Sequence, residues 1–235
     1  MQYSILLLSS SGVHGYNFLE YNSDAIREFV AGISAPLLFV PYAADSTEWD
    51  NYTEKVRGFF STLNIDVTGI HTVSKERITD HEVVFIGGGN TFRLLSKLQE
   101  EGLLQIIAPA VQSGRMKYMG SSAGSNMAGK TICTTNDMPI LYPAKGFDAL
   151  GLFPYQINPH YLDTDTGTTH KGETRDQRIA EYHQVSDVPV VGLREGAYLG
   201  ITATQEMYIG GKPGAKIFEK GKAPYDVADG QRLVL

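Results

Sequence analysis

The sequence predicts an α/β protein: a mostly parallel sheet flanked by helices, with a β-rich C-terminal segment. In the first half of the chain, short apolar runs alternate with segments whose apolar residues recur at helical spacing. This alternation is typical of a parallel sheet, because its strands are buried on both faces and are connected by helices. Beyond residue 196 the chain consists of short apolar stretches broken by glycine, which indicates antiparallel hairpins at one edge.

Five strands are predicted in the first half of the chain, each a short apolar run. They cover residues 3–9, 36–43, 65–70, 82–89 and 117–120. Apolar residues at helical spacing predict four helices, and glycine ends one of them. The helices cover residues 47–64, 90–102, 103–113 and 173–183. A further buried strand is predicted over residues 188–196, and residues 156–161 are predicted to form a loop that Pro159 stiffens.

Length and composition are those of an ordinary globular protein. The chain has 235 residues, of which 42% are hydrophobic and 20% charged, enough for one sizeable core but too few to expect two large domains. We therefore expect a single domain over residues 1–235. The net charge of −6 and the absence of a basic run disfavour nucleic acid as a partner.

Cysteine usage and the apolar profile predict the compartment. Cys133 has no second cysteine for an internal disulfide, as expected in a reducing environment. The first apolar run is short and follows no basic residue, so we interpret it as a strand and not as a signal peptide. Because no apolar stretch approaches the roughly 18–20 residues needed to cross a bilayer, we expect a cytoplasmic protein without a membrane partner.

The stretch Gly120-Ser121-Ser122-Ala123-Gly124 follows the fifth strand and precedes a run that is able to form a helix. It is either a plain turn of small residues or a nucleophile elbow, a strained strand-to-helix corner that exposes one serine. The pattern Gly-x-Ser-x-Gly puts Ser122 at the centre, and its glycines allow the positive φ and close packing that an elbow needs. The Ala123 N–H would then donate to an oxyanion. The flanking strand and helix favour the elbow.

A second oxyanion donor is expected from the glycine cluster that ends the fourth strand. Backbone N–H groups of Gly87, Gly88 and Gly89 would face Ser122 there. The alternatives are a phosphate-binding glycine loop and a simple turn. A Gly-x-x-x-x-Gly-Lys-Ser/Thr loop is absent from the sequence, which disfavours nucleotide binding.

A serine nucleophile needs a base, and His160 is the candidate among six histidines. It follows an apolar stretch and stands beside Pro159, whereas most single histidines in a chain are structural or exposed. His170 lies in a polar stretch rich in threonine and glycine and is interpreted as part of a mobile loop. His183 ends a predicted helix, where a cation suits the helix dipole.

The base in turn needs an orienting acid, and two carboxylates are candidates. Glu195 ends a predicted strand, and sites in parallel sheets gather at the carboxyl ends of strands. Asp137 lies in a loop soon after Ser122; either carboxylate could instead cap a turn. The order Ser122, Asp137, His160 is that of an α/β-hydrolase, but it is far too compact for that fold.

Taken together, several long and unusual stretches of the sequence resemble peptidase E, the α-aspartyl dipeptidase family, over nearly the whole chain. They read PYAADSTEWDNYTEKV, GGGNTFRLL, GSSAGSNMA, TTNDMPI, GFDALGLFPYQINPH, HKGETRDQRI and GLREG. The resemblance implies a fold like that of the class I glutamine amidotransferases. It also implies hydrolysis of dipeptides with an N-terminal L-aspartate, with no metal or organic cofactor.

The resemblance also implies roles for individual residues. Ser122 matches the nucleophile of the family and His160 its general base. Glu195 is favoured as the third member of the triad, with Asp137 as the alternative or as a supporting group. Arg175 matches the arginine proposed to grip the aspartate side chain of the substrate. We expect an acyl-enzyme mechanism.

In that mechanism the oxyanion would be held by the Ala123 N–H and by the N–H of Gly88 or Gly89. One position departs from the family. Other members carry a tryptophan before the nucleophile, and Ser121 stands there in this chain. The change is expected to reshape the pocket wall and to affect substrate range more than chemistry.

Three other functions remain open at this point. A cyanophycinase would cut β-aspartyl links in a polymer. A glutaminase of the amidotransferase type would need a cysteine at the elbow, whereas Cys133 lies well downstream. A binding module could keep the scaffold without catalysis, although the intact Ser122, His160 and Glu195 disfavour it. Edge strands in the C-terminal part would allow a homodimer.

Overall fold

The structure, a computed structural model, describes residues 3–164 and 172–234. The strands are β1 (Tyr3–Leu8), β2 (Leu37–Val40), β3 (Val67–Gly69), β4 (Val83–Ile86), β5 (Lys117–Ser121), β6 (Gln156–Tyr161), β7 (Val190–Arg194), β8 (Tyr198–Thr202), β9 (Met207–Gly210), β10 (Ala215–Phe218), β11 (Tyr225–Val227) and β12 (Arg232–Leu233). The helices are α1 (Ser23–Val30), α2 (Trp49–Ser61), α3 (Thr91–Glu100), α4 (Leu104–Gln112), α5 (Ala123–Met127) and α6 (Arg175–Val185).

An eight-stranded sheet runs through the centre in the order β12-β9-β8-β1-β5-β4-β2-β3. The five strands from the first half of the chain pair in parallel, as the alternation of strands and helices predicts. β8, β9 and β12 continue the sheet antiparallel. The predicted fold class is confirmed, and the carboxyl ends of β1, β4 and β5 lie side by side at one end of the sheet.

A second sheet of four strands has the order β11-β10-β7-β6. Here the structure corrects the sequence analysis, because residues 156–161 form strand β6 and not a loop. Pro159 is tolerated since β6 is the edge strand, where a missing N–H breaks no ladder on the open side. The predicted hairpins also divide between the two sheets and do not share one edge.

The sequence analysis did not predict β11 or α1. Two of the three residues of β11 are exposed, so no apolar run marks the strand. Helix α1 is short, and its apolar positions cover only one side of two turns. None of the helices in residues 3–164 and 172–234 has the length and apolar character that a bilayer span requires.

Both faces of the central sheet are buried, as the continuous apolar strands predict. In β1, Leu7 belongs to one core cluster, whereas Leu6 and Leu8 belong to the cluster on the opposite face. The first cluster includes residues of α3, α4 and α5, and the second includes residues of α1 and α2. Val191 of the four-stranded sheet joins the first cluster. Each such side chain contributes roughly 1.5–3 kcal/mol to stability through burial.

Candidate active site

Ser122 occupies the corner between β5 and α5 in a strained backbone conformation, with φ 53° and ψ −110°. The flanking glycines are required by close packing. A Cβ on Gly120 would lie 2.5 Å from the carbonyl oxygen of Gly124, and one on Gly124 would lie 2.0 Å from that of Ile86. Any larger residue would therefore push α5 away from the sheet. This corner has the geometry of a nucleophile elbow.

Three side chains form a continuous hydrogen-bonded chain. The Oγ of Ser122 lies 2.8 Å from Nε2 of His160, and Nδ1 of His160 lies 2.8 Å from Oε2 of Glu195. With a carboxylate at Nδ1, that nitrogen carries the proton and donates it, so Nε2 is free to accept from the serine hydroxyl. The side chains of His160 and Glu195 are 46% and 41% exposed, so the imidazole lies at an open surface.

His160 reaches Ser122 because its backbone leaves the regular path of β6. Its φ is 54°, and the pairing of β6 with β7 shifts register between Asn158 and Tyr161. Such an irregularity re-aims a side chain. The His160 N–H donates to Oγ of Ser9 at 2.9 Å, and that hydroxyl donates to the carbonyl of Leu193 at 2.9 Å. Ser9 thus ties β6 and β7 of the second sheet to the end of β1.

Glu195 lies in the tight turn that carries the chain from β7 into β8. The turn is closed by the Ala197 N–H, which donates to the carbonyl of Arg194 at 2.9 Å, and Gly196 takes a φ of 86°. Because β7 and β8 belong to different sheets, this turn is a covalent link between them. The carboxylate of Glu195 is therefore held where the two sheets meet.

Asp137 makes its contacts elsewhere. Its carboxylate accepts the backbone N–H of Thr91 at 2.6 Å and also accepts the Thr91 hydroxyl. Thr91 is the first residue of α3, where a negative charge is favourable. The neighbouring Asn90 donates its amide to the carbonyl of Pro139 at 3.1 Å. Asp137 anchors this loop to α3 and makes no contact with His160.

The predicted oxyanion donors differ in their hydrogen bonding. The Gly88 N–H donates to the hydroxyl of Tyr52 at 3.0 Å. For the N–H groups of Gly89 and Ala123, no acceptor is found among the residues that the structure describes. Gly89 has a φ of 137°, and a Cβ there would lie 2.5 Å from the carbonyl oxygen of Ala43, so glycine is required.

A cleft of about 310 Å³ opens over Ser122 and His160. Its volume is at the lower end of the range usual for small-ligand sites. It is lined by Ser10, Ser11, Gly12, Phe18, Tyr52, Lys55, Gly88, Gly89, Ser122 and His160. Within the described residues, no cluster of three or more His, Cys, Asp or Glu side chains offers a site for a metal ion.

Arg175 does not line this cleft. It is the first residue of α6 and borders a separate pocket of about 80 Å³, which Asn158 of β6 also lines. Burial, followed by the charge of Arg178, lowers the pKa of the Arg175 guanidinium. In the described part of the chain it has no carboxylate partner, because Glu173 pairs with Arg178 and Asp176 with Lys216.

Asn158 of β6 adds a buried amide to the small pocket. The residue is 2% exposed, and its amide donates to the carbonyl of Thr134 at 2.8 Å. Its Oδ1 has no hydrogen-bond partner in residues 3–164 and 172–234. The pocket is therefore lined by two guanidinium groups, those of Arg175 and Arg178, and by a residue with an unpaired amide oxygen on the strand that carries His160.

Ser9 and Tyr52 lie near the site, and the sequence analysis assigns a role to neither of them. Ser9 follows β1 directly, so its place at the carboxyl end of a parallel strand was a usable signal. Tyr52 lies within the helix predicted over residues 47–64, and helical spacing accounts for its ring, which packs on the core, but says nothing about its hydroxyl. His170 lies outside the described residues, and His183 is buried and bonds to the carbonyl of Val188 at 3.1 Å.

Comparison with known proteins supplies the family. The model of peptidase family S51 matches residues 5–208. A peptidase E of Streptomyces coelicolor is 47% identical over 98% of this chain and 93% of its own length. A Drosophila melanogaster protein named "Probable alpha-aspartyl dipeptidase" is 42% identical over 92% of this chain and 90% of its own.

A solved structure supports the fold. The crystal structure of a peptidase from an acI-B1 actinobacterium superposes with a TM-score of 0.71, covering 98% of this chain and 96% of that one. At 17% identity this likeness supports the fold alone. The family model and the sequence relatives carry the assignment: the chain belongs to peptidase family S51, and the predicted enzyme class, a serine-type dipeptidase, is confirmed at the level of the family.

Proposed function

We propose that the enzyme hydrolyses dipeptides with an N-terminal L-aspartate through a Ser122–His160–Glu195 triad and an acyl-enzyme. The observation that carries the proposal is the chain of two 2.8 Å hydrogen bonds that joins these side chains. The name of the Drosophila relative supports aspartyl dipeptides as the substrate class.

The proposed reaction has two halves. Ser122 attacks the scissile carbonyl while Nε2 of His160 takes the hydroxyl proton, and Glu195 stabilises the resulting imidazolium. His160 then gives the proton to the leaving amine, which departs and leaves an aspartyl ester on Ser122. Water attacks the ester with His160 again acting as the base, and aspartate is released.

The oxyanion is held in this proposal by N–H groups at the corner. The Ala123 N–H and the Gly89 N–H are the direct backbone donors, since both lack an acceptor in the described residues. Each preorganised donor contributes about 10²–10³-fold to the rate in related chemistry. Ala123 also begins α5, so the N-terminal end of a helix is directed at the developing charge.

Glu195 is the proposed third member of the triad, and Asp137 has a supporting role. Support for this choice is the 2.8 Å distance from Glu195 to Nδ1 of His160, set against the contacts of Asp137 with Thr91. Asp137 would hold the loop beside α3, which borders the glycine cluster. One peptidase domain over residues 1–235 and a cytoplasmic location are part of the same proposal.

Arg175 is proposed to bind the side-chain carboxylate of the substrate. A half-buried guanidinium without a carboxylate partner in the described residues is prepared to bind a planar acid in bidentate fashion. Replacement by Met should cost about 2–5 kcal/mol of binding to the aspartyl group. Kinetics with Arg175→Met and Arg175→Lys check this, and full activity of either variant on Asp-Leu would contradict the role.

The test of the function is amine release from Asp-Leu, Glu-Leu, Asn-Leu, β-Asp-Leu and β-Asp-Arg. We expect the wild type to cleave Asp-Leu alone and Ser122→Ala to lose about 10⁴-fold or more in kcat. The matched control is Ser121→Ala, which removes the neighbouring buried hydroxyl and should remain active. Cleavage of β-Asp-Arg would instead favour a cyanophycinase, and no reaction of Ser122 with a phosphonylating reagent would favour a binding module.

A further inference from the structure

Tyr52 holds the turn that supplies the oxyanion donors. Its hydroxyl accepts the Gly88 N–H at 3.0 Å. The phenol also packs against Gly87 so closely that a Cβ there would lie 2.6 Å from its oxygen. The ring is fixed in edge-to-face contacts with Phe39 and Phe18, at centroid distances of 4.9 and 6.4 Å. Tyr52 therefore has one position relative to the turn.

The phenol keeps its own proton available. A tyrosine hydroxyl accepts hydrogen bonds and donates one. Tyr52 accepts from Gly88, and none of residues 3–164 and 172–234 accepts its O–H. Burial raises the pKa of Tyr52 to about 12, against a smaller lowering by the Gly88 N–H, so the group is a neutral donor near neutral pH.

The hydroxyl also lies next to the nucleophile. Tyr52 lines the same cleft as Ser122 and His160. Gly88, the residue that donates to Tyr52, packs directly on the nucleophile, because a Cβ on Gly88 would lie 3.2 Å from Cβ of Ser122 and 3.8 Å from its Oγ. The donor that Gly88 was expected to offer is thus engaged by Tyr52.

From this geometry we infer that Tyr52 is a catalytic residue whose O–H donates to the carbonyl oxygen of the substrate and to the oxyanion that forms from it. The Gly88 N–H acts through this phenol, since a hydroxyl that accepts a hydrogen bond becomes a stronger donor. Tyr52 joins Gly89 and Ala123 in holding the charge. No bond to Tyr52 forms or breaks, and its proton stays on the phenol oxygen. The inference rests on the proposed acyl-enzyme chemistry.

The test is Tyr52→Phe, which keeps the ring contacts with Phe39 and removes only the hydroxyl. We expect kcat on Asp-Leu to fall about 10²-fold, with KM changed less than about twofold, because the lost donor acts mainly in the transition state. The matched control is Tyr198→Phe. Burial likewise raises the pKa of Tyr198 to about 12, and Tyr198 also packs on a glycine, Gly210. Unlike Tyr52, it lies on β8 and does not line the cleft. Tyr198→Phe should keep wild-type kcat.

A second measurement separates this inference from the substrate assignment. The rate at which a fluorophosphonate labels Ser122 depends on the same oxyanion donors and not on peptide recognition. It should fall in Tyr52→Phe in parallel with kcat, at an unchanged melting temperature. If the wild type cleaves no aspartyl dipeptide but is labelled at Ser122, the substrate proposal fails and the labelling rate of Tyr52→Phe decides the inference.

Two results with the tyrosine variants, and one with Ser122→Ala, would overturn the role of Tyr52. The first is an unchanged kcat and labelling rate in Tyr52→Phe, which would mean that the freed Gly88 N–H serves the oxyanion directly. The second is a loss that appears equally in Tyr198→Phe, which would assign the effect to packing. Retention of activity in Ser122→Ala would remove the nucleophile and the inference together.

Discussion

The two sheets each contribute half of the site, and they do so in different ways. The eight-stranded sheet carries Ser122 after β5 and the glycine turn after β4, both within short glycine-containing motifs. The four-stranded sheet carries His160 on β6 and Glu195 after β7. The first half of the site is shaped by local packing, whereas the second depends on how one sheet is joined to the other.

Backbone strain shows the same contrast. Ser122 and His160 both have positive φ values, 53° and 54°, at non-glycine positions. Such a conformation costs on the order of 1–3 kcal/mol and persists only where the surroundings impose it. For Ser122 the surroundings are its own glycine neighbours. For His160 they are distant in sequence, since Ser9, directly after β1, accepts its N–H.

The largest effect is expected from the acid that belongs to the second sheet. Glu195→Gln keeps the size of the side chain but no longer stabilises the imidazolium, so kcat on Asp-Leu should fall about 10²–10⁴-fold. Asp137→Asn should leave kcat close to wild type and cost about 0.3–1 kcal/mol of stability, because it removes a charge at the start of α3. Steady-state kinetics and urea unfolding check both variants.

The reverse pattern, in which Asp137→Asn loses activity and Glu195→Gln does not, would transfer the orienting role to the loop beside α3. It would also mean that His160 changes its partner during the reaction. Loss of activity in both variants with retained stability would assign each carboxylate a part in catalysis.

The contrast between the sheets also explains what the sequence could predict. The strands of the central sheet and the elbow at Ser122 follow from apolar runs and glycine spacing, which are local signals. β6 was missed because Pro159 argues against a strand interior, and only its place at a sheet edge makes the proline acceptable. The register irregularity at His160 depends on β7 and on Ser9. Both are distant from His160 in sequence, so no local pattern indicates it.

The choice between Glu195 and Asp137 could not be made from spacing for the same reason. Glu195 follows a predicted strand and Asp137 lies in a predicted loop, and either position suits an orienting acid. Only the turn between β7 and β8 brings Glu195 to His160. Tyr52 shows a different limit. Helical periodicity predicts that its ring packs on the core, but the direction of its hydroxyl depends on Gly88, which is 36 residues away.

A smaller effect is expected at the link between the sheets. Ser9→Ala removes the hydroxyl that accepts the His160 N–H and donates to Leu193, so stability should fall by about 1–3 kcal/mol. Because the imidazole loses its fixed position, kcat should also fall about tenfold. The matched control is Ser125→Ala, which removes a buried hydroxyl that donates to the Leu8 carbonyl at 2.6 Å and touches only the first half of the site.

Both serine variants should lose stability in urea titrations, but only Ser9→Ala should lower kcat at saturating substrate. Equal activity losses would mean that the position of Ser122 depends on the Ser125 hydroxyl as much as the position of His160 depends on the Ser9 hydroxyl. Wild-type kcat in Ser9→Ala would show that β6 holds His160 without help from β1.

The smallest effect is expected in acid, at the ion pairs of the second sheet. Arg194 of β7 binds Asp163 at 2.6 Å and Asp226 at 2.5 Å. The hydrogen bond from Arg194, followed by its charge, lowers the pKa of Asp163 below 3.8 against the opposing effect of burial. A lowered pKa stabilises the fold when the pH is above the unfolded-state pKa, and this contribution is lost as the pH falls through the folded-state pKa.

Asp163→Asn should therefore lower the urea midpoint near neutral pH. The loss in the free energy of unfolding should be less than about 1 kcal/mol, since the carboxylate is exposed. The deficit should shrink below pH 3.8. Asp24→Asn, which breaks the exposed pair with Arg27 on α1, is the control for the loss of a surface ion pair and should leave the urea midpoint near neutral pH close to that of the wild type. A deficit that stays constant across the acid range would assign the effect to packing and not to charge.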